Sequence, residues 1–358
     1  MLHLLLYKMK RIRVVSLVPI VGMIVLLTAC SSAGSADHSI AKPISDSTFI
    51  FDTIVSVRVY DDRMSEQHFS EIRGILEGID ERMNRHLTGS EIDLAARQAG
   101  QQPVQVSADT FKVVRAALAY ADTSQGVFDP TVGPLVDLWG IGTDSAAIPP
   151  EHELAAALEL VNYQDVELNE DRSTIMLTRP GMILDLGAIA KGYAADVVKD
   201  YLQERGFKSA IIDLGGNIIA MGDKPGGLAW SIGIQDPSEN RGEHLGILKV
   251  SDKTIVTSGI YERFFRENDK VYHHILDTDS GYPVWNDLLS VSIITDTSMD
   301  ADAMSTTTFA LGLEAGMAYI EALEHAEAIF VTTDKQIHLT SGMQGQFELT
   351  NGGYQYAD

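Results

Sequence analysis

Cysteine is nearly absent: Cys30 is the only one in 358 residues. An intramolecular disulfide is therefore impossible, and so is a zinc site built on cysteine. Basic residues are scarce as well. Lysine and arginine total 27 against 50 aspartates and glutamates, a formal charge of −23. A chain this acidic is unsuited to sequence-independent nucleic-acid binding, which needs a basic surface, so no nucleic-acid partner is expected. No Gly-Lys-Ser or Gly-Lys-Thr occurs, which excludes a phosphate-binding P-loop. No repeat of solenoid length is present. What remains is ordinary globular composition, 45% hydrophobic and 22% charged. The length suits one large domain or two fused ones.

The N-terminus reads as an address. Lys8, Lys10, Arg11 and Arg13 precede a near-continuous apolar run over 14–27, followed by Leu27-Thr-Ala-Cys30. A basic start, a short apolar stretch and small residues before a cut describe a secretory signal. The run is short for a spanning helix, which needs about 20 residues. Leu-Thr-Ala-Cys resembles a bacterial lipobox, with Cys30 as the lipidated new N-terminus. The expectation is a signal peptide over 1–29 and a lipidated flexible tether over 30–47. A catalytic domain would follow over 48–350, with a polar tail over 351–358. The protein is expected outside the cytoplasmic membrane, lipid-anchored on the periplasmic side or the cell surface, where ATP is scarce.

Hydrophobic spacing places strands at 49–60, 173–178, 182–186, 209–213, 217–221, 229–234, 245–250, 271–276, 290–295, 327–332 and 336–340. It places helices at 65–83, 107–122, 151–161, 188–205 and 301–324. The mixture has no regular βαβ period, so the expected class is α+β, a single large domain of mixed sheets and helices. Ile183–Gly187 (ILDLG) echoes Ile211–Gly215 (IIDLG). The echo is either chance strand composition or the mark of two related half-domains.

Four segments could carry chemistry. Asp185–Gly192 follows a predicted strand and opens a helix, where backbone N–H groups, glycine and Lys191 suit a phosphate; a plain tight turn explains it equally. Asp302 and Thr306 share a helical face, and carboxylate and hydroxyl oxygens suit Mg²⁺ rather than zinc. Asp near a helix start is also a good cap. Of the adjacent His273 and His274, only one can face a given pocket, and a histidine can serve as a base. Thr257-Ser258-Gly259 and Tyr261 could line the same pocket. Phe128–Pro134 reads as a rigid turn, with Trp139 beyond it as scaffold or as a ring offered to a planar ligand.

Taken together these strings resemble one family. Phe128–Gly140 (FDPTVGPLVDLWG), Asp185–Asp196 (DLGAIAKGYAAD), Asp213–Asn217 (DLGGN), Thr257–Gly259 with His274–Val284, and Ala301–Gly312 (ADAMSTTTFALG) are similar to those of the FAD:protein FMN transferases, the ApbE-type lipoproteins. The resemblance runs in order over about residues 49–340.

The resemblance implies a Mg²⁺-dependent reaction. FAD is split at its pyrophosphate, FMN is joined to a threonine or serine hydroxyl of a target protein through a phosphodiester, and AMP leaves. The acceptor would carry a motif like Asp-Gly-x-x-Gly-Ala-Thr, as in a membrane redox subunit. By the same resemblance Asp302, Thr306 and the Ala188 carbonyl hold Mg²⁺, and His274 takes the hydroxyl proton. Phe51, His86, Val127, Phe128, Asp129, Asp185, Lys191 and Ile275 fall where the family contacts FAD. At His86 the family often has tyrosine, and the string around it departs from the common pattern. Two alternatives share the residues: an FAD pyrophosphatase giving FMN and AMP, and a non-catalytic flavin-binding lipoprotein.

Overall fold

Two residues at positive φ fold the first apolar stretch back on itself. The computed structural model describes residues 42–357; the expected signal peptide and Cys30 lie outside the described residues. Instead of one strand over 49–60 there are two, β1 (Ile44–Ile50) and β2 (Thr53–Val59). Phe51 (φ 53°) and Asp52 (φ 56°) form the turn, the geometry of a two-residue hairpin. β1 thus begins at Ile44, inside the segment expected to be tether.

Then come α1 (Glu66–Met83), α2 (Glu91–Arg97), β3 (Val104–Gln105), α3 (Ala108–Thr123), α4 (Gly133–Trp139) and α5 (Glu151–Leu158). β4 (Val166–Asn169), β5 (Thr174–Leu177), α6 (Ala190–Glu204), β6 (Ala210–Leu214) and β7 (Asn217–Met221) follow. The chain continues through β8 (Trp230–Gln235), β9 (His244–Val250), β10 (Lys253–Gly259), β11 (Phe264–Glu267), β12 (Lys270–His273) and β13 (Leu288–Thr295). It ends with α7 (Ser298–Leu311), α8 (Leu313–Glu321), β14 (Glu327–Thr332), β15 (Gln336–Leu339), β16 (Phe347–Leu349) and β17 (Gln355–Tyr356).

Nine strands make one sheet in the order β1-β2-β6-β7-β10-β13-β14-β15-β17, antiparallel except for β15 and β17. Alternate residues serve its two faces. Val57, Ile212 and Leu214 pack against Leu76 and Ile79 of α1 and Val198 of α6. Val256, Val291 and Phe330 pack against Phe309 of α7 and Ile320 of α8. On the opposite face Ile255, Ile294 and Ile329 meet Ile232 and Leu248 of the three-stranded sheet β16-β9-β8. The architecture is α+β.

Further expectations are corrected. Residues 182–186 form no strand. Met182, Leu184 and Leu186 do alternate inward, but Ile183 makes only a bridge with Val132, so the period reflects packing without a partner strand. The echo of ILDLG and IIDLG therefore joins unlike structures, since the second lies in the β6–β7 hairpin. The helix expected over 301–324 starts at Ser298 and breaks at Gly312, whose φ is 80°. The polar tail is docked: Tyr354 is buried, its hydroxyl donates to Asp236 Oδ1 (2.6 Å), and β17 pairs with β15. The turn expected over Phe128–Pro134 is present and leads straight into α4, with Pro134 in the first helical turn.

Candidate active site

The start of α6 and the first half of α7 lie side by side on the sheet. Gly192 makes this possible: a Cβ there would stand 2.1 Å from the Ser298 carbonyl oxygen. The Gly192 N–H would ordinarily close the first helical turn onto Ala188. Instead it donates to Asp302 Oδ2 at 3.0 Å, which leaves the Ala188 carbonyl without that partner. Asp302 is only 4% exposed. Its other oxygen, Oδ1, faces the Lys191 ammonium at 3.6 Å, and Lys191 also donates to the Gly187 carbonyl at 2.8 Å. Thr306 lies one turn further along α7, with Oγ1 3.5 Å from Ser258 Oγ on β10. Ser258 also meets Ser305 Oγ at 2.8 Å.

The helix start is not the cradle of free amides that its sequence suggests. Gly187 N–H is bound by Asp185 Oδ1 (2.8 Å), and those of Ile189 and Ala190 by the Leu186 carbonyl. With Gly192 also committed, the segment offers a ligand the Lys191 charge, the Ala188 carbonyl and two amides, those of Ala188 and Lys191, rather than a full ring of donors.

His274 follows β12 directly. Its N–H donates to the Arg263 carbonyl (3.1 Å), and its Nδ1 lies 3.3 Å from the same oxygen. That contact orients the ring and suits a protonated Nδ1, leaving Nε2 as the acceptor. Burial pushes the imidazolium down to about 3, and the charges of His273, Arg263 and Lys191 act in the same direction. His274 is therefore neutral at pH 7 and stands within the electrostatic reach of Lys191. His273 points the other way. Its Nε2 meets the Val284 carbonyl (2.8 Å) and its ring lies edge-on to Phe309, a structural role.

A second group of residues braces the loop after His274. Trp139 is buried, donates Nε1–H to the Gly281 carbonyl (2.8 Å) and stacks on Tyr272, so it is scaffold. Thr278 donates to the Gly126 carbonyl (2.7 Å), which joins this loop to the turn carrying Val127 and Phe128. Phe128 is buried, and Val127 is half-buried. Asp129 spends both carboxylate oxygens at home, accepting from Thr131 N–H, Thr131 Oγ1–H and Tyr163 N–H. Two of these donors fall on Oδ1 and one on Oδ2, so the carboxylate is held mainly by the protein. Ile275 sits in the apolar core beneath α7, so its side chain offers a ligand little surface.

Asp185 has a partner that sequence reasoning missed. Arg85, almost fully buried, donates Nε–H to Asp185 Oδ2 (2.7 Å) and reaches Asp137 Oδ1 (2.8 Å). Arginine's planar fork can bridge two carboxylates at once. The signal lay in the departure around His86: the arginine next to it is a buried anchor, whereas His86 itself is exposed on the same loop. Phe51 is half-buried at the β1–β2 turn, away from any named contact with these residues. Of the Thr257–Gly259 string only Ser258 faces α7. Thr257 bonds Ser292 (2.7 Å), and half-buried Tyr261 lies within the electrostatic reach of Asp236 and Tyr354, residues of the tail network.

The fold and this arrangement agree with the outcome of comparison. Residues 51–330 match the ApbE family, and the chain belongs to that family. A FAD:protein FMN transferase of Klebsiella pneumoniae (strain 342) is 41% identical over 260 residues, covering 73% of this chain and 80% of the relative. One from Treponema pallidum (strain Nichols) is 34% identical over 339 residues, covering 90% and 93%. Among solved structures, the flavin transferase ApbE from Vibrio cholerae superposes with a TM-score of 0.77 at 29% identity. That superposition covers 85% of this chain and 99% of the other.

Proposed function

We propose that this chain is a Mg²⁺-dependent FAD:protein FMN transferase. The observation that carries the reading is the pairing of α6 with α7. Asp302, whose Oδ1 meets only the Lys191 ammonium, lies against the first turn of α6, where the Ala188 carbonyl lacks its helical partner; Thr306 is one turn further along α7, and His274 is within the electrostatic reach of Lys191. The donors are all oxygen, which fits Mg²⁺, and the Lys191 ammonium next to Asp302 Oδ1 shows that a cation is tolerated there. Among the described residues no three or more His, Cys, Asp or Glu side chains gather as a metal cluster. A site with one carboxylate suits a metal that shares its shell with substrate phosphates. Asp302, Thr306 and the Ala188 carbonyl would hold Mg²⁺, which neutralises pyrophosphate charge when bound.

The acceptor threonine or serine hydroxyl attacks the phosphorus of the FMN half of FAD. The new O–P bond forms as the bridging O–P bond breaks, and AMP leaves with the bridging oxygen. The hydroxyl proton passes to His274 Nε2. An imidazole with a depressed pKa is a weak base, but the negative charge of bound FAD opposes Lys191 and Arg263 and raises it. Arg85 holds Asp185 in place for the flavin substrate. Residues 1–29 would direct export and Cys30 would carry lipid, so the enzyme would work at a membrane surface. Its partner there would be an acceptor protein bearing an Asp-Gly-x-x-Gly-Ala-Thr-like segment.

The test mixes the protein with FAD, Mg²⁺ and a small protein carrying that segment, and records acceptor mass and AMP. A gain of one FMN that needs Mg²⁺ supports the transferase. AMP without the gain, at the same rate with or without acceptor, makes it an FAD pyrophosphatase. Absence of AMP leaves a flavin-binding protein.

A further inference from the structure

Helices α6 and α7 exchange carboxylates. Asp196 on α6 accepts the Ser298 N–H at Oδ1 (2.8 Å) and the Met299 N–H at Oδ2 (2.9 Å), the first two amides of α7. Asp302 on α7 accepts the Gly192 N–H in the first turn of α6. Three charge-assisted bonds therefore tie two helix starts whose amides lack intrahelical partners. A serine or asparagine cap offers one oxygen in this position; the carboxylate serves both amides.

We infer that Asp196 is a positioning residue for the metal site, acting through the α7 N-terminus on Asp302 and through Gly192 on the Ala188 carbonyl. The inference rests on the proposed role of Asp302 as a Mg²⁺ ligand. If the first turn of α7 drifts, Asp302 leaves the Gly192 N–H, that amide loses its acceptor, and the carboxylate and the neighbouring Ala188 carbonyl lose their fixed geometry together. The groups facing Asp196 are Lys199 on its own helix, which favours the carboxylate, and Asp300 on α7, which opposes it. Asp300 is itself held by the Tyr120 hydroxyl of α3 (2.8 Å). Burial raises Asp196 to about 6, so the latch is charged at neutral pH and weakens in mild acid.

The experiment uses the full chain with FAD and Mn²⁺ as a spectroscopic probe, followed by electron paramagnetic resonance. Asp196→Asn should weaken Mn²⁺ binding by about tenfold, the lower end for residues supporting metal ligands. FAD binding without metal should be unchanged. Gly192→Ala should cause a similar loss, and the double variant should be little worse than either, because both break one latch. Independently of metal, hydrogen exchange at the Gly192 amide should speed up in Asp196→Asn. In the wild type, after correction for intrinsic rates, it should speed up as pH falls through about 6. Wild-type Mn²⁺ affinity and a protected Gly192 amide in Asp196→Asn would overturn the inference alone. A wild type that binds no Mn²⁺ with FAD present would overturn the metal reading beneath it.

Discussion

Two buried aspartates on opposite faces of the central sheet show what separates a site from a strut. Asp236, 1% exposed, follows β8 on the face covered by the small sheet. Its oxygens accept from the Ser238 N–H, the Tyr354 hydroxyl and the Asn351 side-chain amide. Every donor comes from the protein, and the network closes the C-terminal segment onto the fold. Asp302, 4% exposed, is nearly as deep. Yet only Oδ2 has a backbone donor, and Oδ1 has nothing nearer than an ammonium at 3.6 Å. Burying a carboxylate is costly unless it is satisfied. At Asp236 the protein satisfies it entirely; at Asp302 half the charge is left for something else.

The comparison can be broken most sharply at Asp302. Asp302→Ala should lower FMN transfer by about 10³-fold, the upper end for losing one electrostatic stabiliser. Its melting temperature should fall less than that of Asp236→Ala, because it strands one donor, the Gly192 N–H, rather than several. His274→Ala should slow transfer by about 10²-fold, the scale of a general base, with FAD affinity retained in equilibrium binding. Asp236→Ala should do the reverse of Asp302→Ala. It strands the buried Tyr354 and Asn351 donors and should cost about 3 kcal/mol in denaturant unfolding, while activity per folded molecule is kept.

The smallest effect concerns pH. His273 and His274 are both held below the ordinary histidine value of 6.5, chiefly by burial. Below pH 6.5 the unfolded chain therefore binds protons that the folded chain refuses. Their contribution is full above that value and is lost as pH falls. Asp196, raised to about 6, works in the opposite sense below that value. The melting temperature should thus drop by a few degrees between pH 7 and 5.5. His273→Gln should flatten the slope. An equal slope in that variant would remove His273 from the account.

Several features were legible in the residues themselves. The long helices α1, α3 and α6 follow from apolar spacing, because each turns one stripe into the core. The one-face pairing of Asp302 with Thr306 follows from helical geometry. The split between His273 and His274 follows from strand alternation. The β1–β2 hairpin was hidden because Phe51, unlike Asp52, is not a usual turn residue for positive φ. Residues 182–186 misled because alternation records burial and says nothing about a neighbouring strand.

The sequence by itself determined the local periods, the absence of cysteine chemistry within the domain, and the motif strings that place the chain in its family. Which polar groups are spent and which are open depends on how distant segments pack. Asp129 and Asp302 are both buried aspartates beside hydroxyl-bearing residues. The turn around Asp129 folds back to fill its oxygens. The approach of α6 to α7 fills one oxygen of Asp302 and leaves the other. That difference arises between segments 110 residues apart, and no local pattern encodes it.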